Sequence, residues 1–306
     1  MDGFLSTFLT NLFHPWNPKK LMHLLEKNKE EKVLRAVKYG KLMPDTLLLN
    51  QETLLTFAIK NKKLKLLNGL IEWGADVNKQ NKIAEKPIEI AIQMKYPEAG
   101  KALLRKEVDL KYLDPKLFHQ AIESFFDLSI YLMVDSESSL LKATDELGQT
   151  PLMKAILLNR IEVVKDLINW GVDLNLQDNK QETALMKAIQ IQNNAVVHLL
   201  LSSGAKVDIK NENGETALHQ SILKEDEKIS QILIKYDTDL LLENNKGEDP
   251  YNLAMKQGKI KLAKFIQKKV AERLKKLNFK SQVAPFILLR RLKKMFIFNE
   301  KARFKD

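Results

Sequence analysis

The side chains able to do acid–base or nucleophilic work are scattered along this chain, not gathered. Its five histidines are His14, His23, His119, His198 and His219. They lie far apart along the chain. A nucleophile needs a base within hydrogen-bond reach and a third group that orients the base, and no spacing here supplies such a set. The absence of cysteine removes thiolate nucleophiles, thiol redox chemistry and cysteine zinc sites together. No H-E-x-x-H, glycine-rich phosphate loop or EF-hand loop occurs. The expectation is a chain without catalytic residues, metal or cofactor.

Charge is distributed with more design. Residues 1–255 carry 33 Lys/Arg against 36 Asp/Glu, whereas residues 256–306 carry 17 against 3. The body is thus mildly acidic and the last fifty residues strongly basic. A chain of 306 residues at 44% hydrophobic content can bury one long core or two ordinary ones. The first residues, MDGFLSTFLTNLFHPWNPKK, include an apolar run with Asp2 where a signal peptide has basic residues, lack a small-residue cleavage site and are too short to span a bilayer. The reading is a cytoplasmic protein with no signal peptide or transmembrane helix.

The elements that position these side chains follow from an internal repeat. GQTPLMKAI from Gly148, QETALMKAI from Gln181, GETALHQSI from Gly214 and GEDPYNLAM from Gly247 recur at one constant step, and that step is of the length that implies a solenoid. Earlier copies begin at Thr53 and Lys86, and a worn copy, KLFHQAI, begins at Lys116. In one unit, Thr150, Thr183, Thr216 or Asp249 acts as an N-cap before Pro or Ala. Leu152, Ala155 and Ile156 then give a short apolar helix face, and a polar turn leads to a second helix with Val163, Val164, Leu167 and Ile168. Gly171 ends that helix by turning left-handed.

Period, cap, small residue and glycine stop together resemble the ankyrin repeat, over roughly Thr53 to Ile266. The family's T-P-L-H-x-A phrase keeps its histidine at His119 and His219 but has Met153 and Met186 in the two cleanest copies. The resemblance implies an all-α ankyrin-repeat solenoid of helix-turn-helix units with β-hairpin loops and helical caps at both ends. Expected boundaries are residues 1–45 for an N-terminal helical cap with a degenerate repeat, 46–270 for about seven repeats with the degenerate one near 110–144, and 271–306 for a basic C-terminal cap or tail. The lysine-, asparagine- and isoleucine-rich style is similar to ankyrin proteins of bacteria, including those delivered into host cells.

The resemblance also implies a non-catalytic scaffold, expected to be monomeric, that binds a partner protein through its hairpin tips and inner helices. The residue before each cap would belong to that surface: Glu52, Glu85, Gln149, Glu182, Glu215 and Glu248. So would tip or inner-helix side chains Leu147, Lys180, Leu157, Ile191 and Leu223. The glutamate column has two readings: local support of each helix N-terminus, or an acidic rim that selects a basic peptide.

The C-terminal run PFILLRRLKKMFIF is a basic amphipathic segment, with Arg290, Arg291, Lys293 and Lys294 on one side and Leu292 and Phe296 on the other. Three roles stay open for it: covering the end of the stack, lying on an anionic membrane as part of a peripheral adaptor, or docking on a partner or on the acidic groove. Nucleic acid is the least suited partner, because no base-reading element accompanies the charge.

Overall fold

A helix start leaves its first amides without partners, and at Thr53, Thr150, Thr183 and Asp249 the side chain just before the helix meets that need, whereas at Lys86 and Thr216 the third helical side chain reaches back to the cap amide instead. The computed structural model describes residues 16–106, 108–109, 114–124 and 139–278, with side chains up to residue 273. The expectations for the first fifteen residues and for Arg290, Arg291, Leu292, Lys293, Lys294 and Phe296 lie outside the described residues. Thr53 accepts from the Thr56 amide at 3.1 Å, Thr150 from Met153 at 3.3 Å, Thr183 from Met186 at 3.4 Å and Asp249 from Asn252 at 2.7 Å.

Fifteen α-helices occur among the described residues. In the first of two compact units, Met1–Ala143, α1 (Pro18–Glu26) pairs with α2 (Glu30–Lys38), α3 (Leu54–Lys60) with α4 (Leu64–Glu72) and α5 (Pro87–Gln93) with α6 (Pro97–Leu104), followed by α7 (Pro115–Ser124). In the second, Thr144–Asp306, the pairs are α8 (Pro151–Leu157) with α9 (Ile161–Asn169), α10 (Ala184–Gln190) with α11 (Asn194–Ser202), α12 (Ala217–Leu223) with α13 (Glu227–Lys235), and α14 (Pro250–Lys256) with α15 (Ile260–Asn278). In the first unit α3, α5 and α7 stack in one row and α2, α4 and α6 in another; in the second α8, α10, α12 and α14 stack in one row and α9, α11 and α13 in another.

Seven-residue helices such as α10 are too short to persist alone. Stacking stabilises them: every residue of α10 from Ala184 to Ile189 is buried. At the start of the chain, Val33, Leu34, Ala36 and Val37 are buried on α2, which packs on α4. At the other end α15 continues past the position where earlier second helices stop, with Val270 buried where Gly171 and Gly204 turn the chain.

Two expectations change in detail. Among the described residues the hairpins contain no strand. Each is a closed turn, such as Asp178 N–H to Glu182 O at 3.0 Å, and pairing is limited to the isolated bridges Leu47 with Thr53 and Gln177 with Thr183. The worn copy also starts earlier than KLFHQAI suggests. Its helix begins at Pro115, and the Asp114 carboxylate accepts from the Lys116 amide at 2.7 Å. Pro115 supplies the preset φ of a first helical residue, so the cap moved ahead of a lysine that has no acceptor to offer.

Successive hairpins are joined by backbone bonds: Asn179 donates to Leu147 O, Glu212 to Lys180 O and Asn245 to Asn213 O, at 3.0–3.1 Å. Where the incoming residue is asparagine, its side chain also crosses to the previous hairpin, Asn179 to Glu146 O and Asn245 to Glu212 O. Those are the places where glycine precedes the cap pair. A Cβ on Gly148 would lie 2.4 Å from Asn179 Oδ1, and one on Gly214 would lie 2.3 Å from Asn245 Oδ1 and 2.7 Å from its backbone nitrogen. Gln181, opposite Glu212, holds the same left-handed φ without being glycine.

Gly214→Ala should therefore destabilise more than Gly247→Ala, whose Cβ would meet nothing within 4 Å. The left-handed backbone alone costs about 1–2 kcal/mol, and the excess at Gly214, about 1–2 kcal/mol for a contact the neighbour must yield, should shrink with Asn245→Ala. Urea denaturation midpoints of the three variants check this.

Candidate functional site

The residue four places before each pre-cap position organises the hairpin. Asp145, Asp178, Asn211 and Asn244 each use Oδ1 to accept two backbone amides, for instance Lys180 at 2.9 Å and Glu182 at 2.8 Å for Asp178. Asn81 does the same for Ile83 and Glu85. This is the local turn chemistry at which Asp and Asn excel. It was legible only as a generally polar stretch, although the column itself keeps the period of the repeat.

That arrangement leaves the asparagine amide facing the glutamate of the pre-cap column. Asn81 Nδ2 donates to Glu85 at 2.8 Å, Asn211 to Glu215 at 3.3 Å and Asn244 to Glu248 at 3.1 Å. Lysines add to this. Lys60 spans two successive repeats of the first unit, 3.0 Å from Glu52 and 2.8 Å from Glu85, and Lys256 reaches Glu248 at 2.5 Å. The Lys60 ammonium and the Asn81 amide hold the Glu85 carboxyl below the ordinary carboxylate range, and Lys256 with Asn244 does so for Glu248. Gln149 is buried. The column is therefore a row of half-buried acceptors already engaged by their own chain.

Lys187 is the extreme case. Its side chain is only 5% exposed, 2.6 Å from Asp178 and 2.5 Å from Glu182. Burial pushes the ammonium pKa down, but the hydrogen bonds to Asp178 and Glu182 outweigh this and leave it raised. Gln220, from the next repeat, donates to the other Glu182 oxygen at 3.0 Å. The cluster pins one hairpin to its own helix and to the following unit.

His219 and His119 play structural parts. His219 Nε2 lies 3.0 Å from Glu248 O, so it carries the proton, and Nδ1 accepts from the Thr216 amide at 3.3 Å. Burial lowers the His219 pKa, keeping the ring neutral. His119 Nε2 meets Ala143 O at 3.0 Å. Where Met153 and Met186 stand in this slot their amides donate to the Thr150 and Thr183 hydroxyls at 3.3 and 3.4 Å, but a thioether has no proton to send to the next hairpin. His198 packs edge-on against Tyr236 with centroids 5.8 Å apart, and His23 is exposed. Among the described residues no group of three His, Cys, Asp or Glu is placed to hold a metal ion, and no helix is long and apolar enough to cross a membrane.

The apolar candidates separate by depth. Leu147 is 60% exposed on its turn and Leu223 is exposed at the end of α12, while Leu157 and Ile191 are half-buried and flank a shallow depression lined also by Asn159 and Gln192. Lys180 is exposed in the tip slot that Leu147 fills one unit earlier. Two tip residues of the first unit escaped the sequence reading: Ile83, 68% exposed, and Leu49, 54% exposed. Ile83 lies three residues before its cap, as Leu147 does, so the repeat frame contains the signal.

A family model described as ankyrin repeats (3 copies) matches residues 118–211 and 185–276. Among solved structures, the crystal structure of the ankyrin repeat domain of Bcl-3, described as a unique member of the IkappaB protein family, is similar at a TM-score of 0.53 and 23% identity. The likeness covers 66% of this chain and 93% of that one, and it is one of fold. No curated protein matches.

Breaking a buried ion pair from one side is costly, about 3–5 kcal/mol. Lys187→Met should lower the urea midpoint accordingly, and Asp178→Asn in the same chain should recover much of the loss, because asparagine does the same backbone work at Asn211 and Asn244. Acid should also weaken the fold. A carboxyl held low in the folded state stabilises fully above its unfolded value of ~4.3 and loses that contribution as pH falls through the folded value. The melting temperature should fall between pH 5 and pH 3, less steeply in Lys60→Met/Lys256→Met.

Proposed function

Because this chain belongs to the ankyrin-repeat family, whose repeats generally mediate protein–protein interaction, we propose that it is a non-catalytic scaffold that holds a partner protein against its hairpin tips and the ends of its first helices. The observation that carries this reading is the exposure of Ile83, Leu147 and Leu49 on tight turns. A turn needs Asx, glycine and a cap. It has no use for a large aliphatic side chain in water, so an apolar group there favours contact with another surface. Leu158 and Leu223, exposed at the ends of first helices, extend the same preference within the second unit.

The pre-cap glutamates belong to this surface as its polar border. Lys60, Lys187 and Lys256 already neutralise much of their charge, so the partner segment suited to it is apolar with hydrogen-bond donors at its margins, not a densely basic peptide. Glu215 carries the least compensated pre-cap carboxylate of the second unit, held by an amide at 3.3 Å, and offers the best acceptor in that column for a partner's arginine or lysine.

Ile83→Glu/Leu147→Glu should abolish capture of the partner or weaken its Kd at least tenfold in calorimetry, while Gln231→Glu, on the second-helix face, leaves it unchanged. Equal binding by the tip variant and the wild type would defeat the assignment. Circular dichroism of each variant keeps misfolding apart from lost contact.

A further inference from the structure

The exposed positions of the second helices change character along the second unit. Three columns run in register with the repeat: Glu162, Ala195, Lys228, Lys261; Lys165, His198, Gln231, Lys264; and Asn169, Ser202, Lys235, Lys268. On α9 and α11 the face is mixed and close to neutral. On α13 and α15 it is almost entirely lysine, and Lys228, Lys235, Lys261, Lys264 and Lys268 are all exposed. None of the five is tied to a carboxylate among the described residues.

The acids that could have offset them are occupied elsewhere. Glu225 pairs with Lys259 at 3.0 Å, Glu272 with Lys269 at 2.8 Å and Asp237 with Arg273 at 3.5 Å. Asp226 caps α13 by accepting from the Ile229 amide at 2.9 Å. Glu227 alone stays exposed among the lysines. Lys261 and Lys268 are two helical turns apart, about 10 Å, and neighbouring helices pack about 10 Å apart. Five like charges thus share a patch roughly 10 Å on a side, a repulsion that a folded chain keeps only at some cost.

We propose that the α13–α15 face is a docking surface for an anionic lipid bilayer. Charge complementarity supplies the attraction, with polybasic patches drawn to anionic headgroups within a Debye length. Ile260, 54% exposed at the start of α15 beside Lys261, selects a bilayer over a nucleic acid, since an aliphatic side chain gains nothing against a phosphodiester backbone but can enter the headgroup region. The composition of the following sequence points to the same class of partner: residues 279–306 carry eight Lys/Arg against two acids, with Phe286, Ile287 and Phe296 among them. This face involves other residues than the tip surface, so the two assignments stand or fall separately.

The test is sedimentation of the full chain at low salt with two kinds of vesicle, one of phosphatidylcholine alone and one in which phosphatidylserine replaces about one lipid in three. Retention is expected only with phosphatidylserine and is expected to vanish in high salt. Each lysine contributes roughly a fivefold attraction near such a surface, so Lys228→Gln/Lys261→Gln/Lys264→Gln/Lys268→Gln should lower the partition coefficient by about a hundredfold or more. The matching four-arginine variant should retain it. Arg290→Gln/Arg291→Gln/Lys293→Gln/Lys294→Gln should bind more weakly than the wild type but still respond to loss of the four lysines. Unchanged retention in the four-glutamine variant would overturn the proposal, as would equal binding to neutral vesicles, or complete displacement by duplex DNA at equal phosphate concentration. Ile83→Glu/Leu147→Glu should sediment as the wild type does.

Discussion

One backbone bond sets the pitch of the stack: at Lys82, Asn179, Glu212 and Asn245 the second residue of a hairpin turn donates its amide to a carbonyl in the hairpin before it. In the second unit the donor always follows its acceptor by one position less than a full repeat, Asn179 after Leu147, Glu212 after Lys180 and Asn245 after Asn213. Length can vary in a solenoid only where this bond is not being made, which is why the clean copies share one period. It also explains which atoms are free for other use. The tip backbone is committed to its neighbour, whereas the tip side chain is not, so leucine, lysine and asparagine can follow one another there without altering the scaffold.

Much of this was visible in the sequence because the repeat supplies its own internal comparison. The threonine caps, the glycine after Asn169-Trp170 and the long last helix all follow from local rules applied in frame. What escaped was non-local or substitutable. Asp114 capped the worn copy because a proline next to it outweighed the alignment to Lys116. Lys60 could not be assigned to Glu85, 25 positions away, by any local rule, so the glutamates looked bare when their partners lay on a helix face or in the adjoining unit. Leu49 and Ile83 were less legible because the copies that carry them are less regular than those of the second unit, so the frame marks their tips less sharply.

The hairpin electrostatics also show how one slot is filled by two solutions. With asparagine at the turn, an amide proton goes to the pre-cap glutamate and the unit needs no buried cation. With aspartate, as at Asp178, the turn gains acceptor strength for its backbone amides but acquires a charge that only Lys187 can balance. The neutral solution gives a turn that tolerates change around it. The ionic one couples turn, helix and neighbour, and concentrates the penalty of any change in a single buried side chain.

At the far end, Arg273 bonds back to earlier backbone: its guanidinium donates to Thr238 O and, at 2.9 Å, to Ile234 O, carbonyls at and beyond the end of α13. Ile234 O is one of the acceptors that a helix C-terminus leaves open. Mechanically, this makes α15 a bolted strut instead of a lid. A pull transmitted down the basic segment that follows is not borne by the α14–α15 contact alone. It passes through the guanidinium into α13, so the terminal repeat and the one before it carry the load together.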